Sequence, residues 1–296
     1  MKAWMIVLLV VAALAVFLVI VVNQWCATPH GRLDWRAAVM LKYIRAAKIE
    51  LFRESDPPEE SRRINREKSR PFKSGPPDLA GVVDREVPGP DDSLPMRIYT
   101  PKSGTVLPTA VDDAYAAILW VSGNAGTFGG DPARVAVAGD SAGANLTAVV
   151  SQLVRDRQGP RLAGQVLFYP ATDESRFDTK SHVDFAEGYY LTRKCLEIFR
   201  SLYAPDRADW TSSLVSPLLA PSLANLPPAV VVTAGFDPLR DEGEAYAERL
   251  EASGVPVVRK RYDGILHGFL TLDRLFPQAD DAISLAADEL KRLFGQ

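Results

Sequence analysis

The chain has 296 residues, 47% of them hydrophobic and 24% charged, and its 34 basic and 37 acidic side chains leave a net charge of −3. This balance provides no basic surface for nucleic acid, so we expect no nucleic-acid partner. The two cysteines cannot form a disulfide scaffold, and no Cys, His or acidic spacing predicts a metal ion or another cofactor. The length suffices for a large domain whose core folds without such cross-links.

A long apolar run lies near the N-terminus. Residues 4–22 are 19 residues without a charge, Gly or Pro, and as a helix they would measure about 28 Å, close to the thickness of a bilayer's hydrocarbon core. A cleaved signal peptide is the alternative, but Asn23-Gln24-Trp25-Cys26 follows instead of a small-residue cleavage site. We therefore expect residues 1–25 to form a transmembrane anchor, with the membrane as a partner and a single-pass membrane localisation. Basic residues on both sides leave the orientation open.

Residues 26–78 are predicted to form a juxtamembrane helix followed by a cap or linker. Met40, Ile44, Ala47 and Leu51 recur at helical spacing with basic residues between them. That pattern fits a helix on a membrane surface as well as a helix packed on the main domain. The Pro-rich and highly charged stretch 55–78 is typical of a linker or a loosely packed cap.

From residue 79 to the end, apolar strands alternate with amphipathic helices. The strands are continuously apolar, which predicts a mostly parallel sheet covered by helices on both faces, hence an α/β domain over residues 79–296. A hairpin is predicted at 82–87 and 94–99, further strands at 134–139, 165–169, 229–234 and 255–262, and helices at 110–121, 142–155, 191–203, 239–252 and 279–294.

The segment Gly139-Asp140-Ser141-Ala142-Gly143 has the pattern G-x-S-x-G at the point where a strand gives way to a helix. This is the context of a nucleophile elbow, a sharp turn that exposes a serine hydroxyl at the carboxyl end of a strand. Gly139 and Gly143 are expected to keep side chains out of the gap between strand and helix. Ser141 is therefore the candidate nucleophile.

A serine nucleophile needs a histidine base, and the chain has three histidines. His267 follows the last predicted strand and so lies at a carboxyl end of the sheet. His182 has no strand before it, and His30 lies next to the N-terminal apolar run. We predict that His267 is the base.

A carboxylate should hold that base, and in such a fold it lies between the serine and the histidine in sequence. Asp237 comes just after the strand 229–234 and is preferred. Asp241 is more simply a charge at a helix start, favoured by the helix dipole, and Asp263 is too close to His267 in sequence. Both remain competitors.

The chain resembles the hormone-sensitive-lipase-like branch of the α/β-hydrolases, which includes bacterial carboxylesterases and arylacetamide deacetylase. The resemblance runs from about Pro77 to the end. It implies Ser141, Asp237 and His267 as a catalytic triad, the Ala142 amide as an oxyanion donor, and a cap built from residues 34–77 and the helix near Leu191. The implied activity is hydrolysis of small to medium carboxylic esters through an acyl-enzyme. The motifs that carry the resemblance are Pro88-Gly89-Pro90, Arg97-Ile98-Tyr99-Thr100-Pro101, Ala110-Val111-Asp112-Asp113-Ala114-Tyr115, Gly139 to Asn145, Asp237 to Gly243 and His267-Gly268-Phe269.

The sequence departs from that family in one place. Family members carry a His-Gly-Gly-Gly loop, flanked by two central strands and a helix, between the Tyr-Thr-Pro strand and the Ala-Val-Asp-Asp helix. Here the eight residues 101–108 join those landmarks, which are too few for strand, helix and strand. We therefore predict that the central strands and the oxyanion loop are missing and that hydrolysis is impaired. The alternatives are a membrane-tethered, inactive hydrolase-like ligand-binding protein and a truncated, non-functional product.

Overall fold

The computed structural model describes residues 3–47, 49, 63, 67, 86–88, 93–95 and 108–295. In these ranges the strands are β1 Ala27–Thr28, β2 Gly31–Arg32, β3 Glu86–Pro88, β4 Ser93–Pro95, β5 Ala136–Asp140, β6 Gly164–Phe168, β7 Ala229–Phe236 and β8 Val257–Leu266. The helices are α1 Ala3–Cys26, α2 Trp35–Ala46, α3 Pro108–Asn124, α4 Ala142–Asp156, α5 Lys180–Asp184, α6 Arg193–Tyr203, α7 Arg240–Ala252 and α8 Gln278–Leu293.

A parallel sheet forms the centre of the described domain. Its four described strands lie in the order β5-β6-β7-β8, and each neighbouring pair is parallel. Every residue of β6 and β7 is buried, including the polar Gln165 and Thr233, as expected when helices cover both faces of a parallel sheet. The predicted alternation of strands and helices is thus confirmed, and the carboxyl ends of all four strands meet at one edge.

The predicted hairpin is confirmed in part, because β3 and β4 pair antiparallel with Val87 opposite Leu94. Residues 82–85 and 96–99 of the predicted hairpin, the predicted linker over 55–78 apart from Arg63 and Glu67, and residues 101–107 lie outside the described residues.

The segment after α1 packs against the sheet domain rather than apart from it. Leu33, Ala37 and Ala38 are buried in the same core cluster as Phe236 and residues of β8. A backbone hydrogen bond adds to this packing, because the Asp34 N–H donates to the Gly264 carbonyl at 2.9 Å. Of the two interpretations of the helix that begins near residue 35, the structure therefore supports a helix packed on the main domain.

The structure also contradicts the prediction that residues 1–25 form a transmembrane anchor. Within the described ranges, no helix is both long and apolar enough to cross a membrane. The end of α1 instead contributes to the domain, because Cys26 is buried in the core cluster and Val22 and Trp25 pack against it. The single-pass membrane localisation and the membrane partner are corrected accordingly.

We expect Leu33→Ala to lower the free energy of unfolding by about 2–4 kcal/mol, because it removes a buried side chain from the shared core. Tyr43→Ala, on the exposed side of α2 with 57% of the residue accessible, should change it by less than about 0.5 kcal/mol. Urea unfolding followed by tryptophan fluorescence measures both. Equal, small effects would mean that this segment does not belong to the domain core.

Candidate active site

Ser141 lies in a strained turn between β5 and α4. Its φ of +53° and ψ of −118° place a non-glycine residue in a region that L-amino acids rarely adopt. Backbone hydrogen bonds hold this conformation on both sides: the Ser141 N–H donates to the Phe168 carbonyl at 2.9 Å, and the Asn145 N–H donates to the Ser141 carbonyl at 3.0 Å. The serine is therefore fixed at the carboxyl edge of the sheet.

The two elbow glycines have unequal roles. A Cβ on Gly139 would lie 2.2 Å from the Gly143 carbonyl oxygen, so only glycine fits where the helix passes back over the strand. A Cβ on Gly143 would meet no described atom within 4 Å. The expectation that Gly143 also keeps the gap free of side chains is therefore not met, and its carbonyl rather than its missing side chain makes the close contact.

The register of β7 and β8 brings Asp237 and His267 together. A bulge between Ala234 and Phe236 shifts the register so that Phe236 pairs with Leu266. The residues that follow this pair are Asp237 and His267, and they leave the sheet side by side. At the bulge, a Cβ on Gly235 would be 2.0 Å from the Asp263 carbonyl oxygen, so this position also requires glycine.

The three predicted side chains form one chain of hydrogen bonds. His267 Nδ1 lies 2.7 Å from Asp237 Oδ2, and His267 Nε2 lies 2.9 Å from Ser141 Oγ. Asp237 is fully buried, and its other oxygen accepts the Leu239 N–H at 2.9 Å. Because an ionised carboxylate can only accept, the proton belongs on Nδ1, which leaves Nε2 free to accept the proton of the Ser141 hydroxyl.

Ala142 begins helix α4, so its N–H has no acceptor within the helix. The positive end of the helix dipole lies at the same place and favours a developing negative charge. The predicted oxyanion donor is thus positioned next to Ser141, where an amide of this kind could hold the oxyanion.

Tyr169 was not singled out from the sequence, although it follows strand β6 as Asp237 follows β7. Its ring lies edge-on to the His267 ring with centroids 4.7 Å apart, and its hydroxyl donates to Asp140 Oδ2 at 3.1 Å. Burial, reinforced by the Asp140 charge, raises the pKa of Tyr169 well above its ordinary value, so the phenol keeps its proton. Tyr169 therefore supports the histidine ring from the side.

The residues that competed for triad roles have other partners. His30 pairs with Asp184 at 3.3 Å, and Asp263 forms an ion pair with Arg261 at 2.7 Å. His182 is fully buried against a glutamate of α7, and Asp241 accepts a backbone N–H from α5. In the described part of the chain, no group of three or more His, Cys, Asp or Glu side chains could hold a metal ion.

Aromatic side chains lie near the histidine. Tyr190 has a φ of +75°, and its ring would lie 3.4 Å from a Cβ placed on Gly268, the residue after His267. Tyr189 packs on Phe236 with ring centroids 5.5 Å apart. The segment before α6 therefore lies on the histidine side of the site, and the cap expected from residues 34–77 and the helix near Leu191 stays a prediction.

The chain matches the family described as "alpha/beta hydrolase fold" over residues 100–271. It is 37% identical to the carboxylic ester hydrolase LipN of Mycobacterium tuberculosis over 254 aligned residues, which cover 68% of this chain and 67% of LipN. The carboxylesterase NlhH of the same organism is 40% identical over 188 residues, covering 62% of this chain. The chain spans 59% of the length of NlhH.

Solved structures give the same result. A mutant of LAE6, an alpha/beta hydrolase enzyme from the metagenome of Lake Arreo in Spain, superposes with a TM-score of 0.81 at 32% identity. The superposition covers 89% of this chain and 99% of that structure. The fold class predicted from the alternation of strands and helices is thereby confirmed.

The two elbow glycines offer a matched pair of substitutions. We expect Gly139→Ala to destabilise the domain by about 3 kcal/mol, because its Cβ overlaps the Gly143 carbonyl oxygen. Gly143→Ala should be neutral or stabilise by up to about 1 kcal/mol, because alanine favours a helix and the space is open. Urea unfolding of both variants measures the difference. A Gly139→Ala variant as stable as the parent would contradict the close approach of strand and helix.

Proposed function

Because this chain belongs to the α/β-hydrolase family, in its hormone-sensitive-lipase-like branch of carboxylesterases, we propose that it hydrolyses carboxylic esters through an acyl-enzyme on Ser141. The observation that carries the proposal is the continuous hydrogen-bonded chain from Ser141 Oγ through His267 to the buried Asp237. These hydrogen bonds give the Ser141 proton a path to His267. Removal of that proton makes the hydroxyl a nucleophile.

In the proposed mechanism, Ser141 Oγ attacks the acyl carbon while His267 Nε2 takes the hydroxyl proton. The resulting oxyanion is held by the Ala142 N–H, and the collapse of this intermediate expels the alcohol oxygen, which takes the proton from His267. Water then repeats the sequence on the acyl-enzyme and releases the carboxylic acid. Asp237 stays ionised throughout, orients the imidazole and stabilises its positive form.

We further propose that turnover is reduced because donors other than Ala142 are missing. The sequence offers eight residues, 101–108, where relatives of this branch hold the glycine-rich loop and its flanking strands. In the described part of the sheet, β5 pairs with β6 alone, and its Ala138 and Asp140 are exposed whereas β6 and β7 are wholly buried. These observations support a shortened sheet next to the serine.

The match to LipN adds support. The alignment with LipN is 254 positions long but covers only 68% of this chain, which is about 200 of its 296 residues. About 50 positions of LipN in the aligned stretch therefore have no counterpart here. The absence of one oxyanion donor commonly costs a factor of about 10² to 10³ in rate.

The arrangement of the triad favours hydrolysis over an inactive, ligand-binding role. In a chain without catalytic activity, nothing would require a strained serine backbone, a histidine within 2.9 Å of the hydroxyl and a buried carboxylate behind it. The proposal is therefore a weakened esterase and not a scaffold that only binds esters.

The role of Ser141 is tested by covalent labelling with a fluorophosphonate. The purified chain should be labelled, and Ser141→Ala should abolish labelling, because no other serine is expected to share a hydrogen bond with His267. Ser222→Ala, which removes a hydroxyl that serves only a local turn, is the matched control and should be labelled like the parent. Labelling that persists in Ser141→Ala would contradict the assignment.

Turnover rates of this chain and of NlhH, measured under the same conditions, test whether oxyanion donors are missing. We expect this chain to turn over alkyl esters at least about 10²-fold more slowly. The rate reduction should be smaller for activated aryl esters, because an ester with a better leaving group needs less stabilisation of the oxyanion. Inserting a strand-HGGG-helix-strand segment between Ser103 and Leu107 should raise the alkyl-ester rate. If the chain hydrolyses alkyl esters as fast as NlhH, another oxyanion donor exists and the proposed impairment is wrong.

A further inference from the structure

Helix α5 contacts the turn that carries the triad acid. Two neighbouring residues of this five-residue helix, Ser181 and His182, face two neighbouring residues at the start of α7, Asp241 and Glu242. The turn between β7 and α7 consists of residues 237–239, so these contacts lie within five residues of Asp237.

Ser181 binds the turn at three points. Its hydroxyl donates to the Pro238 carbonyl at 2.7 Å, and its backbone N–H donates to Asp241 Oδ2 at 2.7 Å. The Asp241 N–H donates back to the Ser181 hydroxyl at 3.2 Å. Because Ser181 is fully buried, water cannot replace these bonds, and the peptide that follows Asp237 is fixed from the side of α5.

His182 and Glu242 form a second contact just behind the first. His182 Nε2 lies 3.1 Å from Glu242 Oε2, and neither side chain is accessible beyond 2%. The other ring nitrogen of His182 lies 2.7 Å from the Thr179 hydroxyl, so the ring is held between Thr179 and Glu242. Glu242 Oε1 also accepts the backbone N–H groups of Thr172 and Asp173, at 2.5 and 3.2 Å. The glutamate thus joins the loop after β6, helix α5 and helix α7.

Burial raises the pKa of Glu242, and the hydrogen bond and charge of His182 oppose that rise. A buried carboxylate without this partner would be costly, which is why removing one member of such a pair disturbs its surroundings. The contact therefore sets the position of the α7 start and does more than fill space.

We propose that Ser181 and His182 are positioning residues for the triad acid: by holding residues 238–242 from helix α5, they fix Asp237 at the distance at which it orients His267. This inference rests on the proposed function of Ser141, Asp237 and His267. Catalytic groups tolerate little displacement. They need to be held within about 0.5 Å of their working geometry, and a misplacement of about 1 Å can cost a factor of about 10² in rate.

A positioning role differs from mere stabilisation in its effect on His267. If Asp237 moves away, the imidazolium loses its nearest counter-charge, so the reactive form of the ring persists to lower pH and the pH profile of labelling moves with it. The groups that face this ring in the described part of the chain are Asp237, the Ser141 hydroxyl and the Tyr169 ring with Asp140 behind it. A variant that only unfolds more easily would lower the amount of active protein without moving that pH profile.

The experiment follows the rate of fluorophosphonate labelling against pH, corrected for the folded fraction measured by circular dichroism. We expect Ser181→Ala and His182→Leu to label about tenfold more slowly at the plateau and with an apparent pKa shifted to lower pH. His182→Gln keeps a donor toward Glu242 and should restore the rate to within about threefold of the parent. Lys180→Ala, on the exposed side of α5, is the control and should label like the parent.

A second measurement does not depend on activity. The Nδ1 proton between His267 and Asp237 should give a low-field proton resonance in the parent, which moves upfield or is lost in Ser181→Ala and His182→Leu but stays in His182→Gln and Lys180→Ala. Folded Ser181→Ala protein with the parent's resonance and labelling profile would overturn the positioning role. Labelling of Ser141→Ala would instead overturn the proposed function, and the resonance would still test the positioning of Asp237.

Discussion

The close approach of strand β5 and helix α4 is the constraint from which the rest of the site follows. Gly139 lies so near the Gly143 carbonyl oxygen that a Cβ would be 2.2 Å from it, and this forces the chain through a turn in which Ser141 adopts a φ of +53°. The same turn exposes the hydroxyl at the edge of the sheet and places a free N–H of the helix start beside it. Without the close approach, neither the proposed nucleophile nor its proposed oxyanion donor would be presented.

The parallel sheet brings the other members of the proposed triad to Ser141. Ser141 and His267 are 126 residues apart in sequence, yet each follows the carboxyl end of a strand, and parallel strands bring those ends to one edge. The bulge at Gly235 then adjusts the register of β7 against β8 so that Phe236 pairs with Leu266. Asp237 and His267, the next residue of each strand, meet at 2.7 Å as a result.

Buried polar contacts outside the triad fix the loops around it. Glu242 binds two backbone N–H groups after β6 and the ring of His182, while Tyr169 links Asp140 to the face of the triad histidine. In a region from which water is excluded, such groups are stable only when they are paired, so each of them holds its partner in one place. The catalytic edge is therefore rigid on the side of the acid and the histidine, whereas β5 contributes exposed residues next to the serine.

The sequence by itself determined the alternation of strands and helices, the elbow around Ser141 and the preference for His267 and Asp237, because these follow from local periodicity and from where each strand ends. It misjudged the N-terminal run: apolarity alone suggested a membrane anchor, whereas the end of α1 and the following segment pack on the domain core. It also missed Tyr169 and the contact of His182 with Glu242, and it assigned Gly143 a role that Gly139 alone performs. Only the tertiary structure decided these points, because burial, strand register and the partners of a side chain arise from contacts between segments that are distant in sequence.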